Sequence, residues 1–156
     1  GQGAFAFCDS LKNIVIPPKL SIIEKHTFWY CNALTSIHIP NNVTEIGDCA
    51  FARSEKLTHV VLGERVKTIK YRAFERCSAL TSIILNKQIA TIGDEAFAYC
   101  SSLNSIQLPS TIKKIHKRTF YESALHQIHV AKEKKEYFCK NGLENWRNII
   151  YEMNDN

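Results

Sequence analysis

Six cysteines and six histidines are the residues of this 156-residue chain best suited to chemistry. Cys8, Cys31, Cys77 and Cys100 form two pairs, each with an internal spacing of 23. A structural metal site needs thiolates that converge on one point, usually through closely spaced pairs. The sequence contains no CxxC, and side chains repeated at a long fixed interval fan out along an array. Cys49 and Cys139 are isolated. His126-x-x-His129 is the closest histidine pair, but it does not sit on a helical pattern that would aim two nitrogens at one metal. His26, His38, His59 and His116 are scattered. A nucleophile with a base and an orienting third group is not forced anywhere, and there is no glycine-rich phosphate loop. No catalytic residue, cofactor or metal is therefore expected.

Length and composition bound the alternatives. A chain of 156 residues makes one domain, and 45% apolar against 22% charged residues is an ordinary globular balance. The formal charge of +5 is mild, far from the concentrated charge of a dedicated nucleic-acid binder. No apolar run approaches the roughly 18 to 20 residues of a membrane span. Six cysteines in a chain this long are too few for a disulfide-stapled mini-domain.

The cysteine spacing belongs to a larger pattern. Phe5, Phe28, Phe51, Phe74, Phe97 and Phe120 are separated by 23 residues at every step. A small residue precedes each: Ala4, Thr27, Ala50, Ala73, Ala96 and Thr119. The columns Leu11/34/57/80/103, Ile14/Ile37/Val60/Ile83/Ile106 and Ile16/Ile39/Leu62/Leu85/Leu108 keep the same phase. A second half-unit adds Leu20/Val43/Val66/Ile89/Ile112 and Ile23/46/69/92/115. Such a period marks a solenoid, in which no unit buries its own apolar face and stacked units bury it together.

The unit from Leu34 to Phe51 reads most clearly. Ile37-His38-Ile39 alternates with period two, so it is expected as a strand with one buried face. Pro40 and its column mates Pro17, Gly63, Asn86 and Pro109 are turn residues. Val43-x-x-Ile46 is a second short extended run ending at Gly47. The segment around Ala50-Phe51 is expected as a single helical or 3₁₀ turn. Parallel strands about 4.8 Å apart over these intervals give a rod or arc on the order of 25 to 30 Å long. Cys8, Cys31, Cys77 and Cys100 share a column with Ser54 and Ser123. They are expected as small fillers beneath the coil, although the coil spacing alone leaves a disulfide between adjacent coils open.

Leu-Thr-Ser-Ile-x-Ile-Pro-x-x-Val-Thr-x-Ile-Gly-x-x-Ala-Phe-x-x-Cys resembles the BspA-type leucine-rich repeat of bacterial surface proteins. The copies from Leu34 and Leu103 are close to that pattern. The copy from Leu57 departs from it through Gly63, Lys70 and Ser54. The resemblance covers about residues 1 to 130 and implies an α/β leucine-rich-repeat solenoid of about five to six coils. It also implies a non-enzymatic, secreted or cell-surface recognition module. Gly1-Gln-Gly-Ala-Phe5 aligns with Gly47 to Phe51, so the chain is expected to begin inside a repeat, truncated at its N-terminal side. After Phe120 the register breaks, with Leu125 one residue early. Residues 131–156 are expected as a C-terminal cap: a helix over Lys132–Asn141, Gly142 as its stop, then Trp146 and a final strand at Asn148-Ile-Ile.

Two surfaces are candidates for partner contact. Outward positions of the Ile-x-Ile strands are Asn13/Val15, Ser36/His38, His59/Val61, Ser82/Ile84, Ser105/Gln107 and Gln127/His129. Val61 and Ile84 are exposed apolar neighbours flanked by His38 and His59, with Gln107 next along the row, a pattern that fits a contact site. The imidazoles would make affinity vary between about pH 5.5 and 7.5. The second surface is basic: Arg65, Lys67, Lys70, Arg72 and Arg76, with Lys113, Lys114, Lys117 and Arg118 further on. It would suit a polyanion or an acidic protein, against the plainer reading of a solvated face. Asn42-Val43-Thr44 fits a glycosylation sequon but is also the repeat's own consensus. The expected function is protein recognition or adhesion with a macromolecular partner. The alternatives are a structural spacer and, more remotely, an accessory domain of an enzyme.

Overall fold

The computed structural model describes residues 1–153. The last three residues of the expected closing segment lie outside the described residues. The coils contribute up to two short strand segments and one turn segment each, and every strand pairing is parallel.

The longest ladder is formed by the second half-unit. β1 (Ile22–Ile23), β3 (Glu45–Ile46), β5 (Thr68–Ile69), β6 (Thr91–Ile92) and β8 (Lys114–Ile115) pair in that order, each in a register of one whole repeat. Two residues per coil suffice because Ile23, Ile46, Ile69, Ile92 and Ile115 all point into the core. Gly47 and Gly93 follow this ladder where adjacent coils approach closely. A Cβ on Gly47 would stand 2.8 Å from the Ile23 carbonyl oxygen, and one on Gly93 2.6 Å from the Lys70 carbonyl carbon.

The Ile-x-Ile strands form a broken sheet instead of the expected continuous one. β2 (Ser36–His38) pairs with β4 (His59–Val61). β7 (Ser105–Leu108), β9 (Gln127–Ala131) and β10 (Ile150–Met153) form a separate three-stranded ladder. Residues 82–85 and 13–16 run extended without strand pairing. The in/out alternation survives the break: Ile83 and Leu85 are buried while Ile84 is exposed.

The phenylalanine segments are neither helical nor 3₁₀. They are chains of interleaved tight turns. In one coil the amide of Ala50 donates to Gly47 O, Ala52 to Cys49 O and Ser54 to Phe51 O. The intervening amides of Cys49, Phe51 and Arg53 donate to Tyr71, Ala73 and Glu75 of the next coil. This alternation of local and inter-coil bonds requires left-handed residues. His26, Cys49, Arg72 and Glu95 supply one column, and Phe7, Tyr30, Arg53, Arg76, Tyr99 and Glu122 another, all with φ between 52° and 60°. Left-handed non-glycine residues each cost on the order of 1 kcal/mol or more, offset here by the inter-coil bonds.

Beneath these turns the six phenylalanines stack face to face. Ring centroids are 5.1 to 5.9 Å apart and interplanar angles 3° to 20°. Trp146 meets the final ring, Phe120, edge-on at 6.1 Å. The C-terminal segment contributes Phe138, Cys139, Leu143 and Ile150 to the same core. Its helix is shorter than expected: a 3₁₀ turn over Lys132–Lys134, then α1 (Lys135–Lys140). The Leu143 amide donates back to Phe138 O across Gly142, whose φ is +122°, and this ends the helix.

Candidate recognition face

The strand segments fix one row of outward side chains. β2 and β4 place His38 opposite Val61, β7 and β9 place Gln107 opposite His129, and β9 and β10 place His129 opposite Tyr151. The pairing of Gln107 with His129, 22 residues on, is the register shift heralded by the early Leu125. The row therefore runs Val15, His38, Val61, Ile84, Gln107, His129 and Tyr151. Val15 is 90% exposed, Val61 54%, Ile84 85% and Tyr151 47%. His129 is half-buried because its ring lies 5.8 Å from that of Tyr151. The structure thus gathers the sequence candidates His38, Val61, Ile84 and Gln107 into one row and adds Tyr151. Tyr151 lacks the repeat signature and reaches the row only through β10.

His59 occupies the neighbouring row, opposite Ser36. Its ring is oriented by Thr58: the Thr58 hydroxyl donates to Thr35 O at 2.9 Å and lies 2.7 Å from His59 Nδ1. A carbonyl can only accept, so the arrangement satisfying both contacts puts the imidazole proton on Nδ1. Nε2 is left for solvent or a partner. Beside Ile84, where the strand ladder is broken, a cleft of about 680 Å³ opens. Leu85, Lys87, Gln107, Leu108, Pro109 and Met153 line it.

The basic candidates do not form one free patch. Lys70 Nζ is 2.8 Å from Glu45, Arg72 Nε donates to Glu95 at 2.6 Å, and Arg76 Nε donates to Glu75 at 3.1 Å. Arg53 approaches Glu75 from the preceding coil, and Arg118 pairs with Glu95 from the following one. Glu75 and Glu95 are both buried: Glu95 is held between arginines of the two neighbouring coils, and Glu75 between Arg53 of the preceding coil and Arg76 beside it. Tyrosines complete the arrangement, with Arg53 over Tyr30, Arg76 over Tyr99, Arg72 over Tyr71 and Arg118 over Tyr121. Arg65 and Lys67 are exposed, and no ion pair of theirs is found among the described residues. Four of the nine basic candidates, Lys70, Arg72, Arg76 and Arg118, are thus committed to ion pairs.

The cysteine column is a filler that also donates. Cys31, Cys77 and Cys100 direct their thiols at the carbonyls of Phe5, Phe51 and Phe74, 26 residues earlier, at 3.0 to 3.3 Å. Ser54 does the same toward Phe28 at 3.0 Å. All six cysteines are free thiols. Burial pushes the Cys31 thiol up to about 11 and Cys100 up to about 12, and raises Cys77 well above its usual range. Unfolded thiols ionise near 9. The folded state thus keeps protons that the unfolded state loses, and stability is expected to fall as pH rises above about 9. Alkylation of the native protein at pH 8 should modify Cys8 and Cys49 first, both half-exposed, and leave Cys31, Cys77 and Cys100 unmodified until denaturant is added. Mass spectrometry showing early labelling of Cys77 or Cys100 would contradict their burial.

Among the described residues, no group of three or more His, Cys, Asp or Glu side chains is placed to hold a metal ion. No helix among them is long and apolar enough to cross a membrane.

The sequence matches the BspA type leucine rich repeat region, in six copies spanning residues 21–149. The chain belongs to this family. A leucine-rich repeat protein of T. pallidum is similar in structure, with a TM-score of 0.72 and 26% identity, covering 74% of this chain. A leucine rich cell surface protein of Faecalibacterium prausnitzii A2-165 is similar with a TM-score of 0.71 and 29% identity over 90% of this chain. A leucine-rich repeat protein of Bacteroides ovatus gives a TM-score of 0.54 at 26% identity. The matched regions span 57%, 35% and 47% of those three proteins. No curated protein matches the sequence. The BspA-type repeat explains the 23-residue columns.

Proposed function

We propose that this BspA-type solenoid is a non-enzymatic recognition module that binds another macromolecule through its outward strand row. One observation carries the reading: Val15, Val61, Ile84 and Tyr151 are exposed apolar or aromatic side chains in a single row with histidines and a glutamine between them. Exposed apolar surface costs free energy unless a partner covers it, and a rigid repeated backbone holds such a row in place. A spacer would be served by an evenly polar face. The cell-surface description of the F. prausnitzii protein supports an extracellular or surface setting for this chain. Within the same reading, residues 1–130 form the solenoid and residues 131–153 close its core, a role supported by Trp146 against Phe120.

The test is a display selection on the wild-type chain, repeated on Val61→Asp/Ile84→Asp. Neither side chain points inward, so the variant should keep its circular dichroism and melting temperature. Binders should lose at least about tenfold in affinity on it. Binders that hold both proteins equally would remove this row as the recognition site.

A further inference from the structure

The charge distribution of this face narrows the class of partner. The chain has fifteen Asp and Glu residues, yet none lies in residues 10–17, 33–40, 56–63, 79–86, 102–109 or 124–131. Those six stretches are the repeat's own strand segments and their approaches, one per coil; the added strand β10 carries Glu152 beside Tyr151. Carboxylates begin immediately outside them, at Asp9, Glu55 and Glu64. The same stretches carry Lys12, Lys56 and four of the six histidines: His38, His59, His126 and His129.

We propose that the outward strand face docks an acidic polypeptide surface, one that mixes carboxylates with aliphatic or aromatic side chains. The proposal rests on the recognition reading above and specifies its partner. Apolar partner groups would cover Val61, Ile84 and Tyr151. Carboxylates beside them would meet hydroxyl, amide, ammonium and imidazole donors, with Ser36, Ser82 and Ser105 next to the apolar row. Along the six coil stretches they would meet no like charge, whose juxtaposition costs several kcal/mol at an interface; Glu152 on β10 lies 3.6 Å from Lys135 Nζ. His59 is held for a partner contact, because Thr58 engages its Nδ1 and leaves Nε2 for the partner. A sulfated polysaccharide fits less well. It is held by dense permanent cations, and the arginine clusters of the turn side are already paired with Glu75 and Glu95.

Three probes of matched length test this by biolayer interferometry at about 0.15 M salt: the random copolymers poly(Glu,Tyr) and poly(Lys,Tyr), and heparin. Each is measured on the wild-type chain, on Val61→Asp/Ile84→Asp and on the milder Val61→Ala/Ile84→Ala. The expected result is binding of poly(Glu,Tyr) that weakens about tenfold or more in both variants, without comparable binding of the other two probes. Binding of poly(Lys,Tyr) that depends on Ile84 would overturn the acidic class and leave the recognition row standing. Heparin binding lost in the same variants would replace the polypeptide by a polyanion. If no probe loses affinity in either variant, both the partner class and the row are wrong.

Discussion

Phe74→Ala is expected to lower the stability of the solenoid by about 3 to 5 kcal/mol in equilibrium denaturation. Phe74 is fully buried at the middle of the aromatic column. It stacks on Phe51 at 5.2 Å and on Phe97 at 5.4 Å, with rings within 4° of parallel. Truncation removes the ring's transfer free energy and leaves a cavity whose walls are other coils. Those walls cannot collapse freely, because the amides of Phe74 and Arg76 are bonded to Ala96 and Ala98 of the next coil. A solenoid is held by nearest-neighbour interfaces, so a defect there also weakens coupling between the two halves. A loss under about 1 kcal/mol would mean that the column does not carry the core.

The second large effect is expected at Glu95. Its side chain is 3% exposed and is held by Arg72 of the preceding coil and Arg118 of the following one, themselves 40% and 47% exposed. Glu95→Ala leaves two guanidinium groups facing each other without their shared acceptor. Removing one partner of a buried ion pair costs about 3 to 5 kcal/mol. The half-exposed arginines regain some hydration, which brings the expected loss to about 2 to 3 kcal/mol. Glu95→Gln keeps the shape and one acceptor oxygen and should lose less. Urea denaturation of both variants measures this. Equal stabilities for wild type and Glu95→Ala would show that the arginines need no bridge.

Much of this architecture is legible in the residues. Columns of Phe, Leu and Ile in one phase can be buried only by stacking, and the stack follows. The shift at Leu125 announces the 22-residue step that pairs Gln107 with His129. Other features are hidden for physical reasons. The turn segments read as helical because Tyr30, Arg53, Arg76 and Glu122 give no hint of positive φ, which inter-coil hydrogen bonds impose on them. Glu75 and Glu95 look like surface charges. For Glu75 a clue was present, since Ala52 and Ala98 in its column are small and buried. The division of the basic cluster follows from those two glutamates, so it could not be read from the positions of the arginines alone. Tyr151 joins the outward row through β10, outside the repeat, where no column leads to it.

The central claim is that partners contact the strand row and not the turn side. Photo-crosslinking tests it most directly. A benzophenone side chain is placed at position 84 or, on the turn side, at the exposed Ser101, and each protein is irradiated with binders selected on the wild-type chain. The account predicts covalent adducts from position 84 and none from position 101. Adducts from position 101 alone would contradict it.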